Sequence, residues 1–367
     1  MNNLNKIKRN SPMNWVRSIV LGLLCLAAHE AYSQTLEAKV DSILQDKFQA
    51  YATGAVFLVS QDGLPAYRKA LGKANIELDV DMNPESVFKI GSMTKQFTAV
   101  AVLMLAENEE LSLADDITQF IPDYPTHGES ITIHQLLTHT SGIKNFTEMK
   151  SIMTIAQKDL SPKELIDFFK DEPMDFKPGE EFKYSNSSYV ILGYIIELVS
   201  GMSYEDFIEK NIFQKLGMND SRYATDREIV QNRAYGYQQT NEGYVNKRHI
   251  SFNITYSAGS LMSTVDDLLK WQEALNSNKL LSPETTQLAF TNYELNNGEK
   301  IDYGYGWHLK SLNNMSVREH GGSIFGFKSM AVYIPERDIY VVGLTNCDCV
   351  SPTQIVRDIA VLAAESL

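Results

Sequence analysis

Gly91-Ser92-Met93-Thr94-Lys95-Gln96-Phe97-Thr98-Ala99-Val100-Ala101-Val102-Leu103-Met104-Leu105 is the stretch on which the reading of the whole chain turns. Met93, Phe97, Val100 and Met104 recur at the helical period, and alanine, valine and leucine fill the other faces. A helix that is apolar all round is buried. Lys95 is the only charge between Lys89 and Glu107. An ammonium in such surroundings is costly unless it is partnered or loses its proton. Residues i and i+3 share a helical face, so the Lys95 amine reaches the Ser92 hydroxyl. A serine hydroxyl is a weak nucleophile that needs an adjacent base. Burial and the positive end of a helix both push a lysine toward the neutral form that can serve as one. The same S-x-x-K spacing recurs at Ser86/Lys89 and Ser141/Lys144, where a solvated lysine is the simpler reading. Ser92 stands apart because the apolar helix begins at it.

Two other segments carry chemistry. Tyr184-Ser185-Asn186 precedes a helix expected at Ser187–Val199. A phenol near a lysine relays a proton, and an asparagine holds a substrate amide. Alone, Tyr184 reads as a core tyrosine. Tyr244-Val245-Asn246 repeats the pattern in a polar, strand-like segment and is taken as surface. His320-Gly321-Gly322-Ser323 leads into a strand from Phe327, and paired glycines allow close approach to a strand edge. The backbone N–H groups of Ser92 and Ser323 are candidates for an oxyanion hole. The plain alternative is a glycine turn.

Outward from these segments, the 367 residues are 44% hydrophobic and 22% charged, the composition of a folded globular protein. The net charge of −13 repels phosphate backbones and argues against a nucleic-acid partner. Lys6, Lys8, Arg9 and Arg17 precede an apolar run, Ile19 to Ala28, and then Ala31-Tyr32-Ser33. Residues 1–33 therefore read as a secretory signal peptide cleaved before Gln34, which implies an exported, periplasmic or secreted protein. The apolar run is well short of the roughly 20 residues of a membrane span. Cys25 leaves with the signal. Cys347 and Cys349, with one residue between them, are expected not to bond each other.

Ala55–Ser60 and Pro65–Gly72 read as paired strands about Gln61-Asp62-Gly63. Phe327–Ile334 and Ile339–Thr345 read as a hairpin about Pro335-Glu336-Arg337-Asp338. Helices are expected at Leu36–Tyr51, Ile133–Thr138, Pro162–Phe169, Tyr204–Leu216 and Ser351–Leu367. Strands at both ends with helices between imply an α/β (α+β) fold, an antiparallel sheet built from both ends of the chain with an inserted, mainly helical lobe. With no Pro/Gly/Ser-rich linker, residues 34–367 read as one two-lobed catalytic unit. The sheet lobe is about 34–90 and 255–367, and the helical lobe about 91–254.

G-x-S-x-G, the P-loop and a complete G-x-G-x-x-G are all missing. His134 and His139 are five apart, which does not fit H-E-x-x-H, so no metal site is expected. The order S-x-x-K, Y-x-N, H-x-G resembles the serine β-lactamase and penicillin-binding family, in its class C and DD-peptidase branch. Ile131–Gly142 (ITIHQLLTHTSG), Ala258–Thr264 (AGSLMST) and Tyr303–Trp307 (YGYGW) are also similar to that family. The resemblance covers about residues 40–365. It implies Ser92 as the acylated nucleophile, Lys95 and Tyr184 sharing acid–base work, and Asn186, His320, Gly322 and Ser323 at the substrate, with no metal or organic cofactor. The substrate would be a small molecule or peptide: a D-amino-acid peptide, a β-lactam or an ester. Where β-lactamases of this branch carry K-T-G, this chain has His320-Gly321-Gly322, and a histidine is mostly neutral at pH 7. That favours a peptidase or esterase over a dedicated β-lactamase. A non-catalytic sensor on the same fold is the alternative of another class. Arg318 and Lys328 are candidates for a replacement charge.

Overall fold

The computed structural model describes residues 36–45, 48, 53–225 and 227–367, so the signal segment expected at 1–33 lies outside the described residues. Six strands form one antiparallel sheet: β1 (Ala55–Gln61), β2 (Leu64–Leu71), β3 (His308–Leu312), β4 (Met315–Ile324), β5 (Phe327–Ile334) and β6 (Ile339–Thr345). Their order is β3-β4-β5-β6-β1-β2. The N-terminal hairpin joins the C-terminal strands through β1 and β6, with Ala55 opposite Thr345 and Gln61 opposite Ile339. This is the sheet made from both ends of the chain.

Both faces of the sheet are covered. Ala55, Phe57 and Val59 of β1 pack with Leu36, Val40 and Leu44 of helix α1 (36–45) and with Ile355, Val356 and Ile359 of the closing helix. The alternate residues Val56 and Leu58 pack into the larger core shared with the helical part of the chain. A strand buried on both faces reads as an unbroken apolar run, which is why Ala55-Val56-Phe57-Leu58-Val59 lacks polar alternation.

The helical part is centred on α2 (Thr94–Glu107), whose residues are buried from Thr94 to Leu103. Its buried polar side chains are all satisfied. Gln96 accepts from the Trp271 indole at 3.1 Å, Thr98 donates to the Ser257 carbonyl at 2.6 Å, and Thr94 accepts from Leu261 N–H at 3.1 Å. Against α2 lie α3 (Asn186–Ser200) and the short helix Tyr256–Gly259. The helix expected at Tyr204–Leu216 is present, with the Ser203 side chain accepting from Asp206 N–H at its start and a π-helical turn at Glu209–Phe213 in its middle. The chain ends in α4 (Thr353–Ser366) on the outer sheet face.

One expectation is corrected. Cys347 and Cys349 are joined by a disulfide, with Cα atoms 5.2 Å apart. In an extended strand residues i and i+2 share a face but lie roughly 6.6 Å apart, near the limit for a bridge. β6 ends at Thr345, and the turn beyond it draws the two cysteines closer.

Candidate active site

The S-x-x-K segment does not enter its helix at the serine. Gly91–Met93 is a 3-10 turn, and α2 begins only at Thr94. Side chains three apart nearly eclipse in a 3-10 turn, so Ser92 and Lys95 face each other. Lys95 Nζ lies 3.1 Å from Ser92 Oγ. The lysine is 0% exposed, and its amine also donates to the Ala258 carbonyl at 2.8 Å and to Asn186 Oδ1 at 2.7 Å. Those two oxygens only accept, whereas a hydroxyl can also donate. A neutral amine thus spends its two hydrogens on Ala258 and Asn186 and presents its lone pair to Ser92. Burial holds the Lys95 pKa well below the ordinary lysine range.

Asn186 opens α3, whose start is fixed by the Ser185 side chain accepting from Ser188 N–H and by Ser185 N–H donating to His139 Nδ1 at 3.1 Å. Asn186 Nδ2 donates to Asn145 Oδ1 at 3.4 Å and to Thr147 Oγ1 at 3.0 Å, which turns Oδ1 toward Lys95. Each polar atom of this amide therefore has a protein partner.

Tyr184 stands beside the pair, its ring centroid 4.8 Å from Lys95 Nζ. Its hydroxyl is buried and has no hydrogen-bond partner among the described residues. Burial raises its pKa, and the nearby Ser92 hydroxyl opposes the rise only in part, so the phenol keeps its proton. His320 lies behind Tyr184, with ring centroids 6.1 Å apart. It is 3% exposed, its Nδ1 is 2.6 Å from the Gly321 carbonyl, and its Nε2 is 3.3 Å from the Tyr303 hydroxyl. The same hydroxyl lies 3.3 Å from His139 Nε2. Burial pushes both histidines well below their usual pKa, so both are neutral. His320 backs the site and is not part of the cavity wall.

The third segment brings a strand edge to the serine. Gly91 has φ +53°, and a Cβ there would lie 2.9 Å from Ser323 N. A Cβ on Gly322 would sit 1.9 Å from the Ile90 carbonyl oxygen. Gly322 thus admits the chain's own backbone before the serine, where the sequence suggested a substrate backbone.

These contacts enclose a cleft of about 340 Å³, with Ser92, Asn186, Ser323, Thr147, Phe325 and Asp348 among its lining residues. Among the described residues of that lining there is no lysine or arginine. Arg318 instead stacks on Phe290, 3.8 Å from its ring centroid, outside the cleft. Asn145, Thr147, the Ala258 carbonyl and Asp348 escaped the sequence reading. Only Ala258 lay in a stretch already singled out. Among the described residues, no three or more His, Cys, Asp or Glu side chains are grouped to hold a metal ion, and no helix is long and apolar enough to cross a membrane.

The sequence model of the family described as Beta-lactamase matches residues 37–365. Penicillin-binding protein 4* of Bacillus subtilis (strain 168) is 32% identical over 296 residues, which cover 76% of this chain and 65% of that protein. The chain spans 63% to 65% of the length of the first two curated relatives it matches. The solved octameric penicillin-binding protein homologue from Pyrococcus abyssi superposes with a TM-score of 0.77 at 32% identity, covering 90% of this chain and 77% of that one. The D-amino acid amidase from Ochrobactrum anthropi SV3, complexed with L-phenylalanine, shares the fold with a TM-score of 0.77 at 21% identity, covering 91% and 98% of the two chains.

Proposed function

The chain belongs to the Beta-lactamase family, and from that premise we propose that it is a serine hydrolase that cleaves an amide or ester bond through a covalent acyl-enzyme on Ser92. The observation that carries this reading is the buried Lys95 amine 3.1 Å from Ser92 Oγ.

Lys95, neutral through burial, takes the Ser92 proton as the oxygen attacks the carbonyl carbon. The Ser92 and Ser323 N–H groups receive the developing oxyanion. Tyr184, still protonated, gives its proton to the departing amine or alcohol, and the proton held by Lys95 returns to the phenol. Water then attacks the ester on Ser92 by the reverse sequence, which releases the acid and frees the serine. The titrations of Lys95 and Tyr184 are coupled through the shared proton. Asn186 acts by holding Lys95, because its own amide is fully engaged.

Within this chemistry, a D-amino-acid peptidase, DD-peptidase or esterase is favoured over a dedicated β-lactamase. Support comes from the neutral, buried His320, which supplies no fixed cation for a substrate carboxylate, and from the absence of lysine and arginine in the lining. Residues 34–367 act as one catalytic unit, and the basic and apolar start of the chain directs export. Intact-mass measurement after incubation with a p-nitrophenyl ester and with a penicillin tests the proposal. One acyl adduct on Ser92, absent from Ser92→Ala, is expected, with turnover of the ester. A long-lived penicillin adduct without any turnover would favour the sensor reading. Full activity of Ser92→Ala would overturn the mechanism.

A further inference from the structure

Among the described residues that line the cleft, one carries a formal charge, and it is negative. Among the described lining residues only Asp348 is an acidic or basic side chain. The rest are apolar, such as Ile250, Ile324 and Phe325, or carry hydroxyl or amide groups. Asp348 is placed with care. It is the single residue between the disulfide-bonded Cys347 and Cys349. Its own N–H donates to the Tyr237 carbonyl at 3.3 Å, and Tyr237 N–H donates to the Asn346 carbonyl at 2.9 Å, so the turn is tied to a neighbouring strand. The Gln238 amide donates to Oδ2 at 2.8 Å, which orients the carboxylate and leaves Oδ1 as the acceptor for a ligand.

We propose that Asp348 is a specificity-determining residue that receives an ammonium group of the substrate, so that the enzyme prefers amides and esters bearing a free amine over neutral or carboxylate-bearing ones. The inference rests on the Ser92 acyl-enzyme reading and adds the charge class of its substrate. A carboxylate facing an ammonium in a partly water-excluded cleft forms a charge-assisted hydrogen bond. The same carboxylate repels an anionic substrate, so one residue both attracts and rejects. A covalent bracket of three residues suits this task because it fixes a short side chain without a long supporting shell.

The test uses one peptide p-nitroanilide, D-alanyl-D-alanine p-nitroanilide, in three forms: free N-terminus, N-acetyl and N-succinyl. Their N-terminal groups carry a positive, zero and negative charge. Binding is read by calorimetry on Ser92→Ala, and turnover on the wild type. Affinity is expected to fall in the order free amine, acetyl, succinyl, with the first step on the order of tenfold to a hundredfold. Adding Asp348→Asn, which preserves the Gln238 contact, is expected to flatten the series, with the largest loss falling on the free-amine form. Adding Asp348→Lys is expected to reverse it. Equal charge preference with and without the Asp348 substitutions would overturn the assignment. Turnover surviving in Ser92→Ala would instead overturn the acyl-enzyme reading, and the binding series would still decide the role of Asp348.

Discussion

Asn186 Oδ1 and Ser92 Oγ flank the same nitrogen, Lys95 Nζ, at 2.7 and 3.1 Å, although 91 residues separate the asparagine from the lysine. An amide oxygen can only accept, so Asn186 fixes one hydrogen of the amine and thereby the direction of what remains. The consequence is an amine oriented toward one hydroxyl in a site where burial disfavours its proton.

Lys95 leaves a signature in stability. Below the ordinary lysine pKa of about 10.4, the unfolded chain holds a proton that the folded chain binds weakly. Stability therefore rises with pH between the depressed folded value and the ordinary one, and the penalty is fully present below that window. Wild-type Tm is expected to gain on Lys95→Met as pH is raised from about 7 to about 10. A difference that stays flat across that range, in thermal melts of both proteins, would mean that folding leaves the Lys95 proton in place.

Tyr184→Phe deletes a hydroxyl that has no partner among the described residues. Only the loose approach to the Ser92 hydroxyl is lost, so stability is expected to stay within about 0.5 kcal/mol of wild type. The loss of a proton donor is expected to lower kcat by roughly 10²- to 10⁴-fold. Melting curves and steady-state kinetics on the ester check both halves; an unchanged kcat would remove Tyr184 from the reaction.

Two neighbouring glycines are expected to differ. A Cβ on Gly322 would lie 1.9 Å from the Ile90 carbonyl oxygen, a backbone atom directly before the serine turn. On Gly321 the nearest atom, the Ser329 carbonyl oxygen, is 3.1 Å away. Gly322→Ala is expected to displace the Ser92 turn and abolish acylation, and Gly321→Ala to keep most of it. Adduct yield measured side by side would contradict this if the two were alike.

Glu319, 3% exposed on β4, pairs with Arg357 of α4, whose Nε donates to Oε2 at 2.9 Å. Removing the arginine strands a buried carboxylate. Arg357→Ala is expected to cost about 3 kcal/mol in denaturant unfolding, and Arg357→Ala with Glu319→Gln to recover a large part of it. Equal losses in the two would show that the charge is not what the pairing satisfies.

What the sequence made legible follows from where its signals lie. The bounds of β5 and β6 come out as read because Pro335 to Asp338 breaks an otherwise continuous apolar run. The three motif segments converge on one region, as their residue types suggested. What stayed hidden was carried by other means. The Ala258 carbonyl is a backbone group, which no side-chain pattern announces. Asn145 and Thr147 act through Asn186, and polar loop residues of their kind are common. The disulfide and Asp348 depend on where β6 stops, and strand ends are poorly marked when the following residues are small or polar. His320 was legible as part of a motif, but its burial behind Tyr184 depends on Tyr303 and His139, which come from distant parts of the chain.

The central claim is that folding strips the proton from one lysine beside one serine. It is tested most directly by NMR of protein labelled at the lysine Cε carbons, with the Lys95 resonance assigned by its loss in Lys95→Met and followed across a pH titration. The account expects this resonance to titrate well below the other lysines or to hold its neutral shift through neutral pH. A Lys95 resonance that titrates together with the surface lysines, near pH 10 to 11, would contradict it.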